Sequence, residues 1–305
     1  MTHLSDFDAR SLLFIPADAQ RFIAKGADRG ADVLILDLED AVAPSSKVAA
    51  RAALPAALKH LHQGGATVFV RVNNEADLLA GDVSAAVAAG ADGIVLPKVE
   101  SPRQLEQLDT ALASEEQLAG RPRQGVRLLV LIETPEGVVQ AASIARASTR
   151  LVAMCFGAED FSTAMGIDPL PDGMRWPAQS VAIAAAAAGI QPLGLAGTVG
   201  DFSNPPAYRE LAVHAKRIGM RGAVCIHPAQ VQVLNEVFGG TDEEAAAATR
   251  LLAAFDAGIA QGKGAIALDG KMIDAPIATR ARLFLQRRNA RLARGSTATA
   301  QGGAR

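Results

Sequence analysis

The sequence predicts an α/β protein, a closed (β/α)8 barrel of the TIM type carrying a C-terminal helical arm. Eight apolar runs of strand length, rich in Val, Ile and Leu, recur at 11–15, 33–38, 67–72, 93–96, 127–132, 151–156, 192–195 and 222–226. Their starts lie about 22 to 40 residues apart, the length of one strand, one helix and two loops. None of them alternates with polar residues, the pattern expected of parallel strands covered on both faces.

The segments between the runs carry helix signals. Residues 101–119 open with Ser101 as a possible N-cap and Pro102 at the first helical position, and continue through LEQLDTALA with apolar spacings of three and four. Pro55 interrupts the segment 45–62, so a kink or a split helix is expected there. After the eighth run come 228–238, the pair Gly239-Gly240, a long helical stretch from 241 to about 261, the Gly-rich GKGAIALDGKMIDAP, and a basic helix from about 277 to 294. A barrel does not need these last segments. The expected division is a barrel over 1–240, an arm over 241–294 and a disordered tail, GSTATAQGGAR, over 295–305.

The 305 residues are 50% apolar and 20% charged, with 30 Lys+Arg against 32 Asp+Glu. That composition fills a large core, and a net charge of −2 gives no field to gather the chain onto nucleic acid or an anionic membrane. The N-terminus has no apolar leader and the alanine stretch 181–189 is too short to span a bilayer, so a cytoplasmic protein is expected. Cys155 and Cys225 sit inside apolar runs and read as buried, inert thiols.

In such a barrel the chemistry lies on the loops that leave the C-terminal strand ends. Those ends are strongly polar: Asp37, Glu39 and Asp40 after the second run, Arg71 and Asn73 at the third, Lys98 at the fourth, Glu133 at the fifth, Glu159 and Asp160 at the sixth. Glu133 and Asp160 leave adjacent strands, and two carboxylates that approach one another resist joint ionisation unless a cation lies between them. Oxygen donors without His or Cys nearby favour Mg²⁺ over Zn²⁺. Arg71 offers a fork to the carboxylate of a small acid, or pairs structurally with Asp37 or Glu39. Lys98, set among acidic strand ends, reads as an ion-paired ammonium rather than a Schiff-base nucleophile.

The motifs RSLLFIPAD, LDLEDAVAPSSK, VRVNN, GADGIVLPKVES, LIETPEGV, FGAED, IHPAQVQVLNEVF and GKMIDAP, in this order, resemble the citrate lyase β-subunit-like branch of the HpcH/HpaI aldolase family, from Arg10 to about Arg288. That branch includes malyl-CoA, citramalyl-CoA and β-methylmalyl-CoA lyases. The resemblance implies a barrel in trimers or hexamers that binds Mg²⁺ and breaks or forms a C–C bond beside a thioester of coenzyme A or an acyl carrier protein, with a small α-keto acid as the other partner. It places the metal carboxylates on Glu133 and Asp160, the keto-acid arginine on Arg71, the surrounding acidic set on Asp37, Glu39 and Asp40, and the acid/base on Asp274 of the arm. Read without the resemblance, Asp274 is an N-cap for the final helix. The first strand leaves as Pro16-Ala17-Asp18 where relatives often show Gly-Ser, which bears on carrier contacts. Arg21, Lys25 and Lys47 are candidates for carrier phosphates or are solvated helix charges. The citrate lyase β subunit, acting within a larger assembly, is the alternative to a stand-alone CoA-thioester lyase.

Overall fold

The computed structural model describes residues 7–302, with side chains as far as 293. It divides into two compact units, with the boundary between Phe238 and Gly239. In the first, all eight expected strands form: β1 (Ser11–Pro16), β2 (Val33–Asp37), β3 (Val68–Arg71), β4 (Gly93–Leu96), β5 (Arg127–Ile132), β6 (Leu151–Phe156), β7 (Gln191–Gly194) and β8 (Ala223–Cys225). Every neighbouring pair is parallel, and β1 pairs with both β2 and β8. The ring closes between β7 and the lead-in to β8 through Gly194 N–H donating to Gly222 O (3.0 Å) and Arg221 N–H donating to Pro192 O (2.9 Å). The result is the (β/α)8 barrel that the strand spacing predicts.

The period of two along a strand decides what each residue does. Leu12, Val33, Ile35, Phe69, Val95, Leu129, Leu131, Ala153, Cys155, Leu193 and Val224 form one buried cluster, the filling of the barrel. Their chain neighbours Leu13, Leu34, Leu36, Val68, Val70, Ile94, Leu96, Val130 and Met154 belong to a second cluster beneath the helices. Continuing the inward parity by two residues from Leu12, Ile35, Phe69, Leu131 and Cys155 reaches Phe14, Asp37, Arg71, Glu133 and Gly157. Three of these five are charged, set directly beyond an apolar barrel core.

The layer outside consists of α1 (Gln20–Ile23), α2 (Lys47–Gln63), α3 (Ala76–Ala88), α4 (Pro102–Leu118), α5 (Pro135–Ile144), α6 (Ala158–Met165), α7 (Pro171–Ala188), α8 (Pro205–Arg217) and α9 (Pro228–Gly239). At the start of α4, Ser101 N–H donates to Gln104 Oε1 at 3.0 Å with Pro102 in the first turn, as expected. The segment expected to kink or split at Pro55 is one helix, α2, with Pro55 inside it. Its buried face of Ala50, Leu54, Ala57, Leu58 and Leu61 packs across the proline. At the N-terminal side of the strands, buried Arg150 donates to both oxygens of buried Glu116 (2.6 and 2.8 Å) and to Asp109 (2.6 Å).

The second unit holds α10 (Asp242–Ala260), a hairpin of β9 (Ile266–Leu268) and β10 (Lys271–Ile273), and α11 (Ala275–Gly302). The hairpin was not among the expected elements. It turns at Asp269 and Gly270, both left-handed with φ of 49° and 73°, the conformation that Asp-Gly favours in a two-residue turn. Phe255, Ile273 and Ala278 make a small core of its own. The final helix starts two residues earlier than expected. Of the tail expected over 295–305, the side chains and residues 303–305 lie outside the described residues. Among the described residues no helix is long and apolar enough to cross a membrane.

Candidate active site

At the C-terminal ends of the barrel strands lies a cavity of about 370 Å³, lined by acidic and apolar residues. Arg71, at the end of β3, is its one lining cation among the described residues. The guanidinium lies over the Phe14 ring, 4.6 Å from its centroid. Its Nε and Nη2 donate to the two oxygens of Asp37 at 2.7 and 2.6 Å, and Nη1 donates to Asp40 at 3.2 Å. Glu39 Oε2 is 2.7 Å from Nη1, at ion-pair distance but misaligned for a hydrogen bond. Burial works to lower the arginine's pKa, but Asp37, Glu39 and Asp40 outweigh it and raise it further. The structural pairing considered from sequence is therefore real, and it leaves the second N–H of Nη2 without a carboxylate partner.

Lys98 ties the other half together. It has a left-handed backbone (φ 51°), its amide donates to Glu133 Oε1 at 2.8 Å, and its Nζ lies 2.7 Å from Glu39 and 3.2 Å from Asp160. Burial alone would lower the Lys98 pKa; the hydrogen bond and charge of Glu39, with Asp160 behind, raise it instead. A protonated, paired ammonium is what the sequence implied, and it is a poor nucleophile.

Glu133 is 5% exposed. Burial pushes its pKa up to about 8, opposed by the Lys98 amide and helped by the nearby charges of Asp160 and Glu39. Such a carboxylate is short of positive charge. Its space is provided by Gly157, where a Cβ would stand 2.5 Å from Glu133 Oε2. No group of three or more His, Cys, Asp or Glu suited to a metal occurs among the described residues. Glu133 and Asp160 both line the cavity with oxygen donors, the donor chemistry that Mg²⁺ accepts in small number while drawing the rest of its shell from water and substrate.

Other expectations divide. Lys47 Nζ donates to Leu38 O, Glu39 O and Asn73 Oδ1; it braces the β2 loop and is not a free phosphate ligand. Arg21 lies over Phe22. Both cysteines are buried, and burial pushes Cys155 to about 12 and Cys225 higher still. Asp274 Oδ1 accepts from Ile277 N–H at 3.3 Å, the N-cap that the residues alone suggested. Sequence reasoning missed Gly157, the anchoring part of Lys98 and the Glu159–Thr198 hydrogen bond. Thr198, three residues beyond an apolar run, carried no signal.

Fold and site define a barrel enzyme whose acidic strand ends converge on one guanidinium. Comparison with known proteins agrees: residues 10–228 match the family described as HpcH/HpaI aldolase/citrate lyase. The citrate lyase subunit beta of Haemophilus influenzae is 35% identical, over 91% of this chain and 96% of its own. The L-malyl-CoA/beta-methylmalyl-CoA lyase of Cereibacter sphaeroides is 34% identical, over 87% and 90%. Among solved structures, the protein CitE from Mycobacterium tuberculosis in complex with magnesium, acetoacetate and coenzyme A superposes with a TM-score of 0.72 at 33% identity, over 92% of this chain and 98% of that one. A citrate lyase beta subunit from the same organism, complexed with oxaloacetate and magnesium, gives 0.61 at 32%, over 76% and 97%. The chain belongs to the HpcH/HpaI aldolase/citrate lyase family and is a carbon–carbon lyase.

Proposed function

We propose that the chain is a Mg²⁺-dependent lyase that cleaves a 3-hydroxyacyl-CoA, such as malyl-CoA or citramalyl-CoA, into an acyl-CoA and an α-keto acid, or condenses them. The single observation that carries this is the buried, charge-deficient Glu133 beside Asp160 at the mouth of the barrel. Glu133 and Asp160 would hold Mg²⁺, which when bound would supply positive charge beside the C3 oxygen of the substrate. Arg71, fixed by Asp37 and Asp40, orients the keto-acid carboxylate with its charge and its remaining Nη2 N–H. Asp37, Glu39 and Asp40 keep Arg71 and Lys98 in place. In cleavage the 3-hydroxyl gives its proton to water, the C2–C3 bond breaks, its electron pair passes to the thioester as an enolate, and C3 becomes the keto carbon. Asp274 returns a proton to C2; in condensation it removes that proton. The apolar wall of the cavity limits water at the enolate.

The division into a barrel over 1–240 and an arm that delivers Asp274 belongs to this reading, as does a trimer or hexamer of the chain. Purified chain with Mg²⁺ should cleave a free acyl-CoA of this class, stop on EDTA, and lose turnover in Asp274→Asn while still binding the keto acid. Continued turnover in EDTA refutes the reading. The 35% identity to a citrate lyase beta subunit favours, as second reading, a subunit of a larger assembly acting on an acyl carrier protein. Cleavage of free acyl-CoA by the chain alone excludes it.

A further inference from the structure

We infer that Lys47 and Asn73 are positioning residues for substrate binding: they set the aim of the Arg71 guanidinium through one peptide unit, the one that joins Leu38 to Glu39. This rests on the lyase reading above, in which Arg71 holds the keto-acid carboxylate, and it extends that reading to the layer behind the site.

The peptide is gripped at both ends. Its carbonyl, Leu38 O, accepts from Lys47 Nζ and from Asn73 Nδ2, each at 3.0 Å. Its amide, Glu39 N–H, donates to Asp37 Oδ1 at 2.9 Å, the same oxygen that accepts from Arg71 Nε at 2.7 Å. A peptide is planar and stiff, so a tilt that follows the loss of a carbonyl partner swings the amide too and moves the oxygen on which Arg71 rests. The next carbonyl, Glu39 O, is held by Lys47 at 3.1 Å, and Ala41 N–H donates to Asp37 Oδ2 at 3.2 Å. The loop after β2 thus turns two amides toward Asp37 and two carbonyls toward Lys47.

The layer behind this loop is costly to build. Asn73 is fully buried and Asp82 is 1% exposed. The Asn73 amide is fully committed: Nδ2 also donates to Asp82 Oδ2 at 2.7 Å, and Oδ1 accepts from Lys47 Nζ at 2.5 Å. Asp82 Oδ1 accepts from Arg51 Nε at 2.7 Å. Lys47 is the first residue of α2, where a cation opposes the helix dipole, and Arg51, one turn on, puts a like charge on the same face. Buried networks of this kind add little stability over an apolar core and serve to fix geometry. What this one fixes is the peptide that carries the Asp37–Arg71 contact.

The test is a double-mutant cycle on the full chain, read by calorimetry. The probe is whichever of glyoxylate, pyruvate and oxaloacetate the wild type binds most tightly with Mg²⁺ present, and Mg²⁺ affinity is measured separately. Lys47→Met should weaken keto-acid binding about tenfold, with Mg²⁺ affinity changed by less than about twofold, because Glu133 and Asp160 follow other strands. In an Arg71→Lys background the same substitution should cost less than about twofold, since the contact it serves is already lost. Asn73→Ala, which leaves Lys47 in place, should show the same coupling. Equal losses in both backgrounds, or a parallel fall in Mg²⁺ affinity, would mean that the two residues only support the fold, and either result overturns the inference. So does unchanged keto-acid affinity in a folded Lys47→Met protein. A wild-type chain that binds none of the three keto acids with Mg²⁺ overturns the lyase reading, and this inference with it.

Discussion

Replacing Gly157 by alanine tests the metal assignment with a single carbon atom. Gly157 has φ −100° and ψ 98°, a region open to every residue, so the substitution introduces no backbone strain. The new Cβ would stand 2.5 Å from Glu133 Oε2 and 2.8 Å from Glu133 Cβ, about 1 Å inside ordinary contact distance. Glu133 cannot retreat freely, because Oε1 is held by the Lys98 amide at 2.8 Å. The carboxylate must therefore turn or shift by roughly 1 Å, a displacement that costs on the order of 100-fold at a reacting centre, equivalent to about 2.7 kcal/mol of transition-state stabilisation. In steady-state assays across a Mg²⁺ titration, Gly157→Ala is expected to lower kcat/KM about 100-fold and raise half-saturating Mg²⁺ at least tenfold, with little change in Tm. Wild-type kcat/KM and Mg²⁺ dependence in a folded Gly157→Ala protein would refute the assignment of Glu133 to the metal.

The remaining expectations concern charge. Arg71→Lys loses the two-pronged contact with Asp37 and the guanidinium face over Phe14, and should cut kcat/KM by about 100-fold or more, chiefly through weaker keto-acid binding measured by calorimetry. Glu133, at about 8, must release a proton to take a cation, so apparent Mg²⁺ affinity should rise about tenfold per pH unit below 8 and level off above it; a flat profile counts against the buried carboxylate as ligand. The same raised pKa means the metal-free protein loses stability as pH rises from the ordinary Glu range toward 8, since the folded state then holds the extra proton, and added Mg²⁺ should remove that slope in thermal melts. Glu116 runs the other way: burial works to raise its pKa, but Arg150 and the amides of Val126 and Gln124 hold it at about 2. Its contribution is complete above the unfolded value of about 4.3 and fades as pH falls through about 2. Glu116→Gln, which leaves Arg150 buried and short of charge, should cost about 3 kcal/mol in urea denaturation at neutral pH, and a cost under about 0.5 kcal/mol would contradict this.

The barrel was legible because its strands are buried on both faces. Runs such as LLVLI and VAMCF have no polar alternation to obscure them, and the observed strands fall within a residue or so of those runs. Strand-end residues were legible for the same reason: Asp37, Arg71 and Glu133 each stop an apolar run. What they touch was not, because contacts depend on which strand lies beside which and on side-chain parity. Gly157 looks like any loop glycine until Glu133 on the adjacent strand is seen to fill its missing side chain. Lys98 betrays its charge in the sequence but not the left-handed backbone that lets its amide and ammonium serve different carboxylates. The turn in ALDGKM was present as Asp-Gly; it went unread because three-residue strands carry too little pattern to announce themselves. Pro55 misled because a helix anchored by five buried residues tolerates the loss of one backbone bond.

The ring of strands is fastened unevenly. From β8 through β1 and on to β7 each neighbour is joined by a parallel ladder, with one register shift between β5 and β6, whereas β7 meets the approach to β8 through two bonds. Fluctuations that loosen the cylinder should therefore begin along that stretch, where least must be broken. Asp37, Arg71, Glu133 and Gly157 all leave strands from β2 to β6, within the laddered part. The side chains that must hold position to a fraction of an ångström sit away from the line along which the wall gives first.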